Sequence, residues 1–201
     1  MLVGARMLYP SLTIGPRETV ETAADLMENN HMSWLPVVDR QSCMLGVISS
    51  DNIKKAEKSS EDEKYVEDFM TTELLSVTED TTIEEAARII TDYDLPALPV
   101  LRDGFLVGIV TKESLVRVLM EMTGARVQGV RVMFKLLDRR GALLDVLQII
   151  YDRGGSIEAI SSYCANDELS AVIVTLRVQG MDKFALKQAI RDSAAALIDI
   201  R

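Results

Sequence analysis

Part of this chain is written twice. Met7, Leu12, Thr19, Glu21, Ala23, Ala24, Leu35, Pro36 and Val37 recur as Met70, Leu75, Thr82, Glu84, Ala86, Ala87, Leu98, Pro99 and Val100, each 63 positions later. After one residue is lost in the following loop, Gly46-Val47-Ile48-Ser49 aligns with Gly108-Ile109-Val110-Thr111 at an offset of 62. A duplicated unit of this size points to two like supersecondary elements packed as a pseudo-symmetric pair, with a groove at their seam.

Each copy has the same physical grammar. Val20, Ala23, Ala24 and Met27 lie at i, i+3, i+4 and i+7, as do Ile83, Ala86, Ala87 and Ile90, which sets one apolar stripe along a helix. Thr82 and Glu85 have capping-box spacing, each side chain able to satisfy the other's backbone N–H, and Thr19 with Thr22 is a weaker version. Leu35-Pro36-Val37-Val38 and Leu98-Pro99-Val100-Leu101 then read as first strands of hairpins, the prolines fitting a strand start or an edge. Asp103-Gly104 suits a tight two-residue turn, whereas Arg40-Gln41-Ser42-Cys43 makes a longer one. A second helix follows each hairpin, starting near Asn52 and Ser114.

Charge and cysteine content narrow the functional classes. Residues 1–124 carry 11 Lys+Arg against 22 Asp+Glu, and residues 125–201 carry 11 against 9, so the net charge of −9 belongs to the first part. Such an acidic surface argues against nucleic acid, whose phosphates need clustered basic side chains. Cys43 and Cys164 have no companions at metal-ligand spacing, so no metal site is expected. No apolar stretch approaches the roughly 18 to 20 residues that cross a bilayer, and the start Met1-Leu2-Val3-Gly4-Ala5-Arg6 lacks signal-peptide order. A cytoplasmic protein without a membrane partner is the expectation.

The series Met-x(n)-Thr-[Val/Ile]-x-x-Ala-Ala, then Leu-Pro-Val, then Gly-Val-Ile-Ser or Gly-Ile-Val-Thr, resembles tandem CBS domains over about residues 7–120. That resemblance implies a Bateman module, in which clefts between two repeats commonly bind adenosine-containing ligands. The family's hairpin end reads Gly-h-h-[Ser/Thr]-x-x-Asp, h being apolar, with the hydroxyl on phosphate or ribose and the Asp on ribose hydroxyls. Carried over by position, the hydroxyls are Ser49 and Thr111, while the Asp places hold Asn52 and Ser114. Asn can still accept from one hydroxyl and donate to another oxygen, so the first cleft keeps its hydrogen-bonding capacity. The shorter, uncharged Ser leaves the second weaker or empty. Replacing Asn52 with Ala is expected to weaken binding while leaving the fold intact.

Independently of any family, a hydroxyl residue and a polar residue three positions on, at a strand-to-helix junction, sit beside free backbone N–H groups that favour an anion. Helix capping alone selects the same residue types. Further walls are expected from Leu12-Thr13, Leu75-Ser76, Ser33-Trp34-Leu35-Pro36 and Pro96-Ala97-Leu98-Pro99. Trp34 could stack on adenine, although a lone Trp beside an apolar run is more often core. His31, the single histidine, reads as a helix-end or surface group. The few nearby basic residues, Lys112, Lys54 and Lys55, favour AMP, adenosine or S-adenosylmethionine over ATP.

Beyond Met122-Thr123-Gly124-Ala125 the pattern changes. Strands at 130–137, 157–163, 171–178 and 196–200, with helices at 142–151 and 182–191, give βαββαβ, with a turn at Ala165-Asn166-Asp167-Glu168. Leu-x-Asp-Arg-x-Gly-Ala-Leu at the first strand-to-helix junction and Gly-Gly-Ser-Ile-Glu opening the second strand resemble an ACT domain over about residues 128–201. The resemblance implies a ferredoxin-like fold that dimerises and often binds an amino acid at this junction. The matching positions are Asp138, Gly141, Ala142 and Leu143; Arg140 stands where the family often has proline. A unit that only dimerises is the competing expectation.

The expected whole is therefore an α+β chain: a CBS-domain pair of α/β-sandwich type, 1–62 and 63–124, then a βαββαβ ferredoxin-like ACT domain, 125–201. This architecture resembles bacterial CBS-ACT proteins of acetoin utilisation. No catalytic residues or cofactor are expected, since pairs such as Glu84-Glu85 sit at helix starts, where they complement the dipole. A homodimeric regulator is expected, responding to a small-molecule ligand and acting on a partner enzyme. The alternative is an assembly scaffold whose clefts have decayed.

Overall fold

The computed structural model describes every residue except 10–11, 61–62, 138 and 165–170, so Asp138 and the expected turn at 165–168 lie outside the described residues. The chain divides into two compact units, Met1–Val116 and Arg117–Arg201. Both mix helix and strand, which makes the fold α+β.

In the first unit the duplication is a duplication of structure. α1 (Val20–Asn29), β1 (Trp34–Val38), β2 (Met44–Ser49) and α2 (Ser50–Glu57) are followed by the short α3 (Val66–Phe69). α4 (Ile83–Asp92), β3 (Ala97–Arg102), β4 (Phe105–Thr111) and α5 (Lys112–Met122) repeat the order, α5 continuing past Val116. Thr19 Oγ1 accepts from Thr22 N at 3.1 Å and Thr82 Oγ1 from Glu85 N at 3.2 Å, so both predicted helix starts are capped. The reciprocal half expected from Glu85 does not form. The N-terminal segment pairs on either side of Thr82, through Val3 N to Thr81 O and Ile83 N to Met1 O, both 2.9 Å.

The hairpins turn as their sequences require. Asp103 and Gly104 both take positive φ, 52° and 84°, whereas the longer first turn places Ser42 at 66°. Pro36 and Pro99 lie inside β1 and β3 rather than at their starts; on the side away from the hairpin each meets only an isolated parallel bridge, in which the proline carbonyl accepts from Ile14 N or Val77 N at 3.0 Å and no proline N–H is required. Val20, Ala23, Met27, Leu35, Val37 and Ile48 close the first core, and α3 adds Val66.

Each sheet is completed by a segment from the opposite copy. Thr71 pairs with Val47 of β2 through two backbone bonds of 3.0 and 2.8 Å, while Leu8 pairs with Ile109 of β4 at 2.9 and 2.8 Å. The approach is close. A Cβ on Gly46 would lie 2.8 Å from Thr71 O, and one on Gly108 would overlap the Met7 side chain. These two matched glycines are where the duplicated Met-containing segments cross between repeats.

The second unit follows the βαββαβ order: β5 (Val130–Leu137), α6 (Ala142–Asp152), β6 (Ser156–Cys164), β7 (Ala171–Gln179), α7 (Lys183–Arg191) and β8 (Ala196–Ile200). The sheet order β6-β7-β5-β8, antiparallel throughout, is ferredoxin-like. Val132, Phe134, Leu136, Val174, Leu176 and Val178 alternate inward and meet Val146 and Ile150 of α6 with Leu186 and Ile190 of α7. α6 ends through Gly154 at φ 83°, the left-handed closure its Gly-Gly pair suggests.

Candidate ligand-binding site

The strand-to-helix junction of the first repeat is a closed capping box. Ser49 Oγ accepts from Asn52 N at 3.3 Å, while Asn52 Oδ1 accepts from Ser49 N at 2.9 Å and from Ser49 Oγ at 2.6 Å. What remains for an outside partner is the amide nitrogen, which reaches Thr71 Oγ1 at 3.5 Å. Asn52 is buried, 8% exposed, so its removal would orphan the Ser49 N–H. Asn52 therefore holds the helix start as well as facing the seam, so Asn52→Ala acts on the cap as well as on the cleft.

The second junction is similar and more self-contained. Ser114 N donates to Thr111 Oγ1 at 3.1 Å, Thr111 N donates to Ser114 Oγ at 3.0 Å, and that hydroxyl donates to Thr111 O at 2.8 Å. With Ser114 only 5% exposed, its side chain is occupied by its own backbone.

Between the repeats lies a cleft of about 310 Å³. The first repeat contributes Trp34, Val47, Ser49 and Asn52; the second contributes Thr71, Glu73, Leu74, Leu75, Tyr93, Leu95, Pro96, Ala97 and Pro99. Seven of the residues singled out in the sequence thus meet here: Trp34, Ser49, Asn52, Leu75, Pro96, Ala97 and Pro99. Trp34 is a core residue that also lines the cleft. It is 6% exposed, packed with Ala97, Ile109 and Val47 across the seam, and one edge borders the cleft. Ala97, at the matching position, is small and leaves room beside it.

The other candidates fall elsewhere. Leu35 and Leu98 are fully buried and Pro36 is also buried, so they support the hairpins from within. Leu12 packs against the first core, and the carbonyl of exposed Ser33 accepts from Ser50 N at 2.9 Å. Thr13 borders a separate groove with Arg17 and Arg40, and Ser76 one with Cys43 and Leu101. Thr111 and Ser114 form the second junction.

Val47, Thr71, Glu73, Leu74, Tyr93 and Leu95 were missed. Val47 was legible, since strand alternation puts it on the same side as Ser49. Thr71 to Leu74 were not, because the exchange between repeats carries them to the partner's seam.

Among the described residues no basic side chain lines the cleft. Lys54 Nζ is 3.1 Å from Asp51, and Lys112 Nζ is 2.9 Å from Asp94, whose carboxyl the ammonium holds below its usual range by hydrogen bond and charge. Among the described residues no group of His, Cys, Asp and Glu could hold a metal ion. Nor is any helix among them long and apolar enough to cross a membrane.

In the second unit, Gly141 caps α6 at φ 84°, with nothing within 4 Å of a Cβ placed on it. Ala142 is buried and Leu143 packs against the core, so Gly141 is the one member of the trio on an open surface. Arg139 pairs with Asp145 at 2.7 Å beside it.

Comparisons with known proteins agree with the fold. The family model "CBS domain" matches residues 3–59 and 66–121, and "ACT domain" matches residues 130–195. An uncharacterized 17.7 kDa protein of Acidianus ambivalens is 32% identical over 110 residues, 54% of this chain and 67% of that protein. Inosine-5'-monophosphate dehydrogenase of Methanocaldococcus jannaschii is 32% identical over 107 residues, 53% of this chain but only 21% of the dehydrogenase. Among solved structures, a protein assigned to acetoin utilization (AcuB) from Vibrio cholerae superposes with TM-score 0.58 at 26% identity, covering 63% of this chain and 95% of that one. CBSX2 of Arabidopsis thaliana, solved in complex with AMP, gives 0.53 at 29%, covering 59% and 96%. The CBS domain pair of protein MJ0100, solved with 5-methylthioadenosine and S-adenosyl-L-methionine, gives 0.53 at 28%, covering 59% and 99%.

Proposed function

The chain belongs to the CBS-domain family and carries an ACT domain behind its CBS pair, and from that premise we propose that it is a regulatory ligand sensor rather than an enzyme. The ligand contains adenosine and occupies the cleft between the repeats. The observation that carries this reading is that one cleft gathers the first repeat's Ser49 and Asn52 with the second repeat's Leu75, Pro96 and Ala97. Apolar walls and two aromatic rings suit a purine face, and the Asn52 amide with the Thr71 hydroxyl suits a ribose. AMP on CBSX2 and S-adenosyl-L-methionine on the MJ0100 pair support the ligand class.

A ligand touching both repeats favours one arrangement of them over another, and only that difference in affinity can move the equilibrium. α5 follows the second hairpin in sequence and the ACT domain follows α5, which gives the bias a route along the chain. The ACT domain pairs two copies into a homodimer and offers the Gly141 junction to an amino acid. The regulated partner is an enzyme in the cytoplasm, and likeness to AcuB makes acetoin utilisation the first pathway to try.

A ligand-free scaffold is the second reading, favoured by the engaged Asn52 Oδ1 and Ser114 hydroxyl. Calorimetry with adenosine, AMP, ATP and S-adenosylmethionine separates the two. Asn52→Asp sharpens the test, because a carboxylate keeps the acceptor for the Ser49 N–H and is favoured in a first helical turn. The expected result is a melting temperature at or above wild type with adenosine affinity changed severalfold, whereas Asn52→Ala loses about 1 kcal/mol of stability with the cap. Unchanged affinity in Asn52→Asp would remove this residue from the binding site.

A further inference from the structure

Among the described residues Glu73 is the one charged residue on the wall of the cleft. It is exposed, and it has no hydrogen bond or ion pair among the described residues, so its carboxylate is available to whatever enters. The basic groups that could offset it are held elsewhere: Lys54 by Asp51 at 3.1 Å and Lys112 by Asp94 at 2.9 Å.

The start of α2, the other feature able to attract an anion, is already capped. Ser50 N donates to Ser33 O at 2.9 Å, Asn52 N donates to Ser49 Oγ at 3.3 Å, and Asp51 adds negative charge to the first turn. The acid is also particular to one copy. Sixty-three positions earlier the sequence has Pro10, so duplication of the motif does not account for Glu73.

Building on the cleft reading above, we infer that Glu73 is the charge selector of this cleft: it favours an adenosine-type ligand carrying a positive charge, a sulfonium or an amine, and disfavours phosphorylated ones. A partly exposed carboxylate acts on a nearby charge through solvent-screened attraction, so its effect is modest and salt-dependent.

Four probes on the full chain test this by calorimetry: adenosine, AMP, 5′-amino-5′-deoxyadenosine and S-adenosylmethionine, each against wild type and Glu73→Gln. Glu73 is exposed, so the variant should melt with wild type, and adenosine, which carries no charge, is the reference against which the other probes are read. The two cationic probes should bind wild type more tightly than AMP does. In Glu73→Gln they should each weaken about fivefold while AMP gains about fivefold. The cation-to-AMP ratio then moves about 25-fold, and by less in high salt.

AMP binding wild type at least as tightly as the cations, or an unchanged ratio in Glu73→Gln, overturns the inference while leaving the cleft in place. Failure of all four probes to bind wild type overturns the cleft reading, and this inference with it.

Discussion

Gly46→Ala should cost about 1 to 3 kcal/mol of stability and weaken adenosine binding along with it. The added Cβ would stand 2.8 Å from the carbonyl oxygen of Thr71 and 2.9 Å from Met70 Sδ. The methionine tip can swing away, but the carbonyl belongs to the backbone segment that pairs with Val47. To make room, that segment must draw back and give up its bonds of 3.0 and 2.8 Å. It carries Thr71, Glu73, Leu74 and Leu75, so the same displacement opens the cleft wall. Gly15→Ala is the matched control, since its Cβ would meet only Glu18 Cγ, at 3.7 Å. Denaturant unfolding followed by the emission of Trp34, the chain's one tryptophan, measures both variants. A Gly46→Ala protein as stable as Gly15→Ala would mean that the close approach of the exchanged segment is not what fixes this position as glycine.

Phe134→Ala should destabilise the second unit by about 3 to 5 kcal/mol, the usual range for a large core aromatic. Phe134 is the largest of the fully buried side chains. Its strand β5 lies between β7 and β8, and its ring points toward both helices. No neighbour can fill the resulting space without leaving the same core. Leu144→Ala, at a site 65% exposed on α6, should stay within about 0.5 kcal/mol of wild type. Thermal unfolding monitored by circular dichroism compares the two, and equal midpoints would contradict the assignment of the core.

Where the sequence is read through periodicity, it tells the fold almost residue by residue. The alanine-containing stripes, the threonine caps and the Asp103-Gly104 turn all act over a few residues, and local geometry is enough to place them. β5 and β8 begin and end where their patterns do, for the same reason.

The crossing of the first segments is another matter. Nothing in Met7-Leu8 or Met70-Thr71 says which sheet it joins, because its hydrogen bonds are to residues far along the chain, Thr71 to Val47 and Leu8 to Ile109. The only trace is Gly46 and Gly108, read in sequence as parts of a strand and understood in structure as clearance for a neighbouring chain segment. The candidate site divides along the same line. Ser49, Asn52, Ala97 and Pro99 were legible because the motif carries them, and Thr71 and Glu73 were not, because the exchange does. Leu35 and Leu98 share a motif with cleft residues but alternate inward, a distinction that only the strand register makes plain.

Trp34 also provides the most direct test of the account, since it is the chain's single indole and borders the cleft. Adenosine, AMP, ATP and S-adenosylmethionine are titrated in turn while its emission is recorded. The account predicts a saturable change with at least one of them, lost when Gly46→Ala displaces the wall. Binding seen by calorimetry with Trp34 emission unmoved, or no binding of any of the four, would contradict it.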